Sequence, residues 1–144
     1  MIDKFDGKYA FLSNFYSSPI SPWEDGLIYP TVEHAFQAMK SFNLEDRKLI
    51  ANAPTPGKAK FFGRRLNLRP DWKIVRIDIM HDALEEKFKD SNLSNLLLAT
   101  GDEELIEGNY WNDTYWGVCN GVGENHLGKL LMEIRNDLKN KKNK

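Results

Sequence analysis

Three stretches of this chain carry apolar residues at helical spacing, and the segments between them are cut short by Pro and Gly. The first stripe is Val32, Ala35, Phe36, Met39 and Phe42. The second is Trp72, Val75, Ile79, Met80, Ala83, Leu84 and Phe88, and the third is Leu127, Leu130, Leu131, Ile134 and Leu138. Side chains three and four apart share a helix face, so each stretch predicts an amphipathic helix with one buried side. Thr31 after Pro30 is the expected N-cap of the first, which should end near Phe42 or Asn43. Asp71 is the expected cap of the second, and the third should begin near Asn125. Residues 44–53 predict a short helix stopped before Pro54. Thr55-Pro56-Gly57 sets a cap and a first-turn Pro for another helix, which should close at Gly63, a residue able to take positive φ. A further short helix is expected from about Ser94 to Thr100, stopping at Gly101.

Strand signals are fewer. The first thirty residues read as extended, with Pro19 to Tyr29 as a hairpin turning at Glu24-Asp25-Gly26. Residues 103–107 read as extended or irregular. Residues 108–123 hold four glycines and two tryptophans with no sustained period, the composition of a loop that walls a site. The expected fold class is therefore mainly α with a small N-terminal β element, α+β, in one domain spanning 1–144. Its basic tail, 139–144, is expected to be frayed.

Composition narrows the function classes. The net charge of −1 lacks the basic surplus of a broad nucleic-acid or acidic-lipid surface. A local cluster of Lys58, Lys60, Arg64, Arg65 and Arg69 is dense enough to hold a phosphate. No stretch approaches the roughly 18 apolar residues of a membrane span. Asp3, Lys4 and Asp6 interrupt any leader pattern, and the single Cys119 excludes an internal disulfide. Those points set a cytoplasmic location as the expectation.

Glu33, Gln37 and Lys40 fall at i, i+4 and i+7 beside the first apolar stripe, which can make a polar pocket wall. A first-turn acid is also favoured by a helix N-terminus alone. The three histidines, His34, His81 and His126, share no metal-ligand spacing, and Cys119 has no thiolate-activating signature, so no metal or cofactor is expected. What remains is a helical carboxylate, Asp113 in a Trp-rich loop, and scattered Arg and Lys. Carboxylates with aromatic platforms suit cleavage at a sugar anomeric carbon, where a cationic oxocarbenium develops. A Trp face stacks a base or sugar, and Arg or Lys holds a phosphate. Trp72 also falls on an apolar stripe, which suits a core role equally. Asp113 beside Asn112 also suits a turn.

Several motifs occur in a fixed order: Phe11-Leu12-Ser13-Asn14-Phe15, Thr31-Val32-Glu33-His34-Ala35-Phe36-Gln37-Ala38-Met39-Lys40, and Ala59-Lys60-Phe61-Phe62-Gly63-Arg64. Asp71-Trp72, Lys87-Phe88, and Leu96-Leu97-Leu98-Ala99-Thr100-Gly101 follow. The series ends with Asn112-Asp113-Thr114-Tyr115-Trp116-Gly117 and Gly123-Glu124-Asn125-His126-Leu127-Gly128. The ordered set resembles the YbiA-like family, also called the NADAR (NAD and ADP-ribose) superfamily, from about Phe5 to about Leu138.

The resemblance implies a compact, mostly helical fold and a metal-free N-glycosidase. The implied substrates are small phosphoribosyl compounds, such as early aminopyrimidine ribotides of riboflavin synthesis. A second implied activity is removal of ADP-ribose from guanine in nucleic acid. A non-catalytic NAD or ADP-ribose binding module is the rival outside the enzyme class. The resemblance places Glu33 at the family's catalytic acid, with Asp113 assisting proton transfer or binding ribose hydroxyls. Trp72 and Trp116 are implied to stack on the leaving base. Asn14, Lys40, Arg64 and Asn125 are implied ligand contacts, Lys40 and Arg64 to phosphate. Contacts made by an upstream extension in longer relatives are expected to be absent. A helix N-terminus favours the ionised form of Glu33 and burial opposes it.

Overall fold

The computed structural model of the chain describes residues 1–142. The mainly helical class is observed. The chain divides into two compact units, Asn14–Lys87 and Met1–Ser13 together with the segment from Phe88 onward.

The first unit holds α1 (Val32–Ala38), α2 (Leu44–Ala51), α3 (Pro56–Gly63) and α4 (Trp72–Lys87). Its entry segment turns at 24–26, where Asp25 Oδ1 accepts from the Leu27 amide at 3.0 Å and Tyr29 Oη donates to Asp25 Oδ2 at 2.6 Å. The expected hairpin closes here on an isolated antiparallel bridge, Ile20 to Tyr29, without a longer ladder. Thr31 caps α1 as expected, its hydroxyl accepting from the His34 amide at 3.1 Å.

The helix ends earlier than its apolar stripe suggests. Arg69 takes over the free carbonyls at its end: the Arg69 amide donates to Lys40 O at 2.8 Å and Nη1 to Met39 O at 3.3 Å. Phe42 therefore leaves the buried stripe. It is 62% exposed, with the Arg69 guanidinium 4.2 Å from its ring centroid.

Caps at Asn43 and Thr55 start α2 and α3, the latter with Pro56 in its first turn. The helix closes at Gly63 as expected, but not through a positive φ: Gly63 is its last residue, Arg64 is the C-cap, and Gly63 is not among the positive-φ glycines. Asp71 stands immediately before α4, its carbonyl accepting from the Val75 amide at 3.1 Å, and its carboxylate forms a two-pronged pair with Arg69, Nε to Oδ1 at 2.7 Å and Nη2 to Oδ2 at 3.0 Å. That pairing holds the Asp71 carboxyl below its ordinary range. The α4 stripe matches the sequence, with Trp72, Ile79, Met80, Ala83 and Leu84 buried.

In the other unit the N-terminus is not extended throughout. Gly7–Leu12 is a 3₁₀ helix that buries Phe11 and Leu12, while Ile2 bridges Leu105 in parallel. Asp90 caps α5 (Ser91–Ala99), which starts earlier than predicted and stops at Gly101 with φ of 65°. The paired strands β1 (Gly108–Asn109) and β2 (Val118–Cys119) are parallel and lie in the Gly- and Trp-rich segment. Finally, α6 (His126–Lys142) buries Leu127, Leu130, Leu131 and Ile134. Residues 139–142 of the expected tail are helical, and 143 and 144 lie outside the described residues. Among the described residues no helix is long and apolar enough to cross a membrane.

His34 shows how α1 is held. Its Nε2 lies 3.0 Å from Ala53 O, so that nitrogen carries the proton, and Nδ1 accepts from the Thr31 hydroxyl at 2.8 Å. Burial lowers its pKa, with the Ala53 carbonyl opposing. Thr31→Val should cost about 1–3 kcal/mol in urea unfolding, because it removes the cap and the His34 partner together. The unfolded chain binds the His34 proton at a higher pH than the folded one. Stability should therefore fall as pH drops below about 6.5, and His34→Gln should flatten that slope.

Candidate active site

Every residue from Thr31 to Met39 is buried, so α1 carries Glu33, His34 and Gln37 into the interior. Glu33 is 7% exposed and Gln37, one turn on, is 3% exposed. Gln37 Nε2 donates to Glu33 Oε1 at 2.8 Å. The Glu33 amide donates to Asn14 O at 3.1 Å, which brings the Asn14 backbone to the start of α1. Asn14 Nδ2 faces Met80 Sδ at 3.6 Å. Asn14 Oδ1 is buried with no hydrogen-bond partner, as is Gln37 Oε1. A buried acceptor left unmade costs about 1–3 kcal/mol, and a ligand donor would relieve it.

Lys40 follows the end of α1. Its Nζ lies 5.9 Å from the ring centroids of both Phe36 and Trp72, and those rings are 5.0 Å apart at a tilt of 55°. Burial pushes the Lys40 ammonium below its usual pKa; the Glu33 charge opposes that shift, and Arg64 and Lys60 add to it. Glu33, Lys40, Lys60 and Arg64 thus share one electrostatic neighbourhood. Lys60 and Arg64 are one turn apart at the end of α3, with the Arg64 amide donating to Lys60 O at 3.2 Å. An anionic group set among these cations gains Coulomb energy, most strongly at half-buried Lys40 and less at exposed Arg64. Asn14, Glu33, Lys40, Arg64 and Trp72 therefore all belong to the Asn14–Lys87 unit. Trp72 fulfils the core expectation, being buried against Phe36, and it also presents its ring to Lys40.

Asp113, Trp116 and Asn125 belong to the other unit. Asp113 Oδ1 accepts from the amides of Tyr115 at 3.2 Å and Trp116 at 2.9 Å, the turn its sequence suits. Asn109 fastens that turn, accepting from the Asp113 amide at 3.1 Å and donating to Asp113 O at 2.9 Å. Trp116 is half-buried and meets Tyr115 edge-on at 5.0 Å. Asn125, with φ of 55°, has both amide atoms engaged with backbone: Nδ2 donates to Leu105 O and Oδ1 accepts from the Glu107 amide, each at 2.9 Å.

Lys87 was not singled out by spacing. It is 1% exposed, burial pushes its ammonium down to about 7, and Nζ lies 5.5 Å from the Tyr16 ring centroid. Its position three residues after Leu84 on the apolar face of α4 is the signal that could have marked it.

The model of one family, described as the NADAR domain, matches residues 2–139. The chain is 42% identical over 134 residues to "N-glycosidase YbiA" of Shigella flexneri serotype 5b (strain 8401), covering 90% of this chain and 82% of that protein. Its fold is similar to the NMR structure of the E. coli protein YbiA, with a TM-score of 0.86, 38% identity, and coverage of 100% of this chain and 88% of the other. It is also 35% identical over 137 residues to "Riboflavin biosynthesis protein VVA0006" of Vibrio vulnificus (strain YJ016), covering 92% of this chain and 36% of that longer protein.

Because Trp72 is packed against Phe36, Trp72→Ala should destabilise the fold by about 3–5 kcal/mol in chemical denaturation. Trp72→Phe should lose distinctly less, since it keeps a ring against Phe36.

Proposed function

This chain belongs to the NADAR domain family, and from that membership we propose that it hydrolyses the N-glycosidic bond at ribose C1′ of a phosphoribosyl compound. It is an N-glycosyl hydrolase, like the relatives named for that activity. The observation that carries the finer reading is the buried Glu33 carboxylate, hydrogen-bonded by Gln37 and coupled to Lys40, which in turn feels Lys60 and Arg64.

In the reaction, a water oxygen bonds to C1′ and the C1′–N bond breaks. Its electron pair goes to the base nitrogen, and the proton released by water ends on the base. Positive charge develops on the sugar between these events, and a carboxylate beneath C1′ stabilises it or orients the water. Glu33 takes that role. Lys40 and Arg64 hold phosphate oxygens, and the orphaned Asn14 Oδ1 accepts from a ribose hydroxyl. The Trp72 ring gives the sugar or base a stacking wall.

Asp113 and Trp116 take the parts that the family resemblance implies, proton transfer or ribose binding for the first and base stacking for the second. Asn125 supports the backbone at 105–107. The name of the Vibrio relative supports an aminopyrimidine ribotide of riboflavin synthesis as the substrate.

A paired mass-spectrometric turnover assay tests this. One arm offers a phosphoribosylamino-pyrimidine and the other an ADP-ribosylated guanine oligonucleotide. Ribose 5-phosphate released from the first alone is the expected result. ADP-ribose released from the second alone would replace the substrate assignment. Glu33→Gln should lower turnover by about a hundredfold or more with substrate binding kept. Arg64→Ala should mainly raise KM, since it meets a non-reacting phosphate.

A further inference from the structure

We propose that Gln37 is a positioning residue for Glu33 and that Gly63 is a glycine in order to leave room for the Gln37 amide; the proposal rests on the reading of Glu33 as the catalytic carboxylate. Three observations carry it. Gln37 is 3% exposed and donates from Nε2 to Glu33 Oε1 at 2.8 Å. Its Oε1 is buried without a hydrogen-bond partner. A Cβ on residue 63 would lie 1.9 Å from Gln37 Oε1, 2.8 Å from Cδ and 3.1 Å from Cβ.

A glutamine buried in this way is a poor core residue, because half of its amide is desolvated for nothing. What it supplies is one N–H aimed at Glu33. Turned over, the amide would set an oxygen against the carboxylate, two acceptors facing each other. The contact therefore fixes the Glu33 carboxylate in one rotamer and favours its ionised form. Gly63 has no positive φ to accommodate, and alanine is the better helix former at an unstrained position. Missing volume, where α3 meets α1 at Gln37, is what the position requires.

The test is an NMR titration of the Glu33 side-chain carboxyl carbon in the unliganded full chain, with Glu33→Gln identifying the signal. Gln37→Met keeps the volume and removes the amide; Gly63→Ala displaces the amide from the other side. Both should raise the Glu33 midpoint by roughly one pH unit. On the phosphoribosylamino-pyrimidine, the acid limb of the kcat–pH profile should move with it. The kcat should fall by about tenfold or more and KM should change less than about twofold.

A purely structural Gln37 predicts a change in melting temperature with the titration and acid limb unmoved, and that result overturns the proposal. Should Gln37→Met fail to fold, Gly63→Ala carries the same comparison. Full turnover by Glu33→Gln would instead overturn the reading of Glu33 and the catalytic part of this proposal with it. An unmoved titration beside an inactive Glu33→Gln overturns the role of Gln37 alone.

Discussion

The complete burial of α1 is the constraint on which the rest of the Asn14–Lys87 unit depends. A seven-residue helix whose every side chain is hidden must satisfy its polar groups internally or leave them for a ligand. Thr31, His34 and Ala53 form a closed hydrogen-bond chain on one side. Glu33 and Gln37 form an open one on the other, because the amide oxygen of Gln37 has no partner. The first chain fixes the helix in place. The second keeps a carboxylate in an interior that would otherwise be apolar, which is the arrangement in which a charge acts most strongly on a neighbouring cationic centre.

Electrostatics in the same unit have a clear sign. Lys60 and Arg64 both act on Lys40, and Glu33 is the acid that Lys40 feels. Cations gathered around Lys40, which itself faces Phe36 and Trp72, repel it, and a phosphate turns that repulsion into attraction. The phosphorylated sugar proposed as substrate would meet both demands, its anion at the cations and its anomeric carbon toward the carboxylate.

Much of the helical order was legible because caps and stripes are local signals. Thr31, Thr55 and Gly101 sit where short-range hydrogen bonding puts them, and the α4 stripe follows from period alone. What was not legible depends on partners distant in sequence. The stripe through Val32 and Phe36 runs on to Phe42, yet Arg69 ends the helix, and nothing near Met39 announces an arginine thirty residues away. Asp71 reads as the start of α4, which it is, but its pairing with Arg69 is not announced by the sequence. Gly63 reads as a helix stop because glycine's usual use is conformational, whereas here the need is steric and set by α1. The hairpin at 19–29 is legible as a turn, but two-residue pairing elsewhere, at 108–109 with 118–119, carries no periodic signal at all. Among the site residues, the row Glu33, Gln37, Lys40 was visible from helical spacing, while the loads on the amides of Asn14 and Asn125 were visible only in three dimensions.

Arg69 ties several of these threads together. It binds the last carbonyls of α1 with its backbone and guanidinium, grips Asp71 at the start of α4, and covers Phe42. The segment from Arg64 to Asp71 is therefore a measured strut, although its sequence looks like an ordinary connector. Lengthening it by a residue would detach the brace and let Trp72 drift from Lys40. The turn around Gly26 is a second, shorter brace, in which Asp25 takes the Leu27 amide and the Tyr29 hydroxyl and so holds the buried Tyr29 ring just ahead of α1.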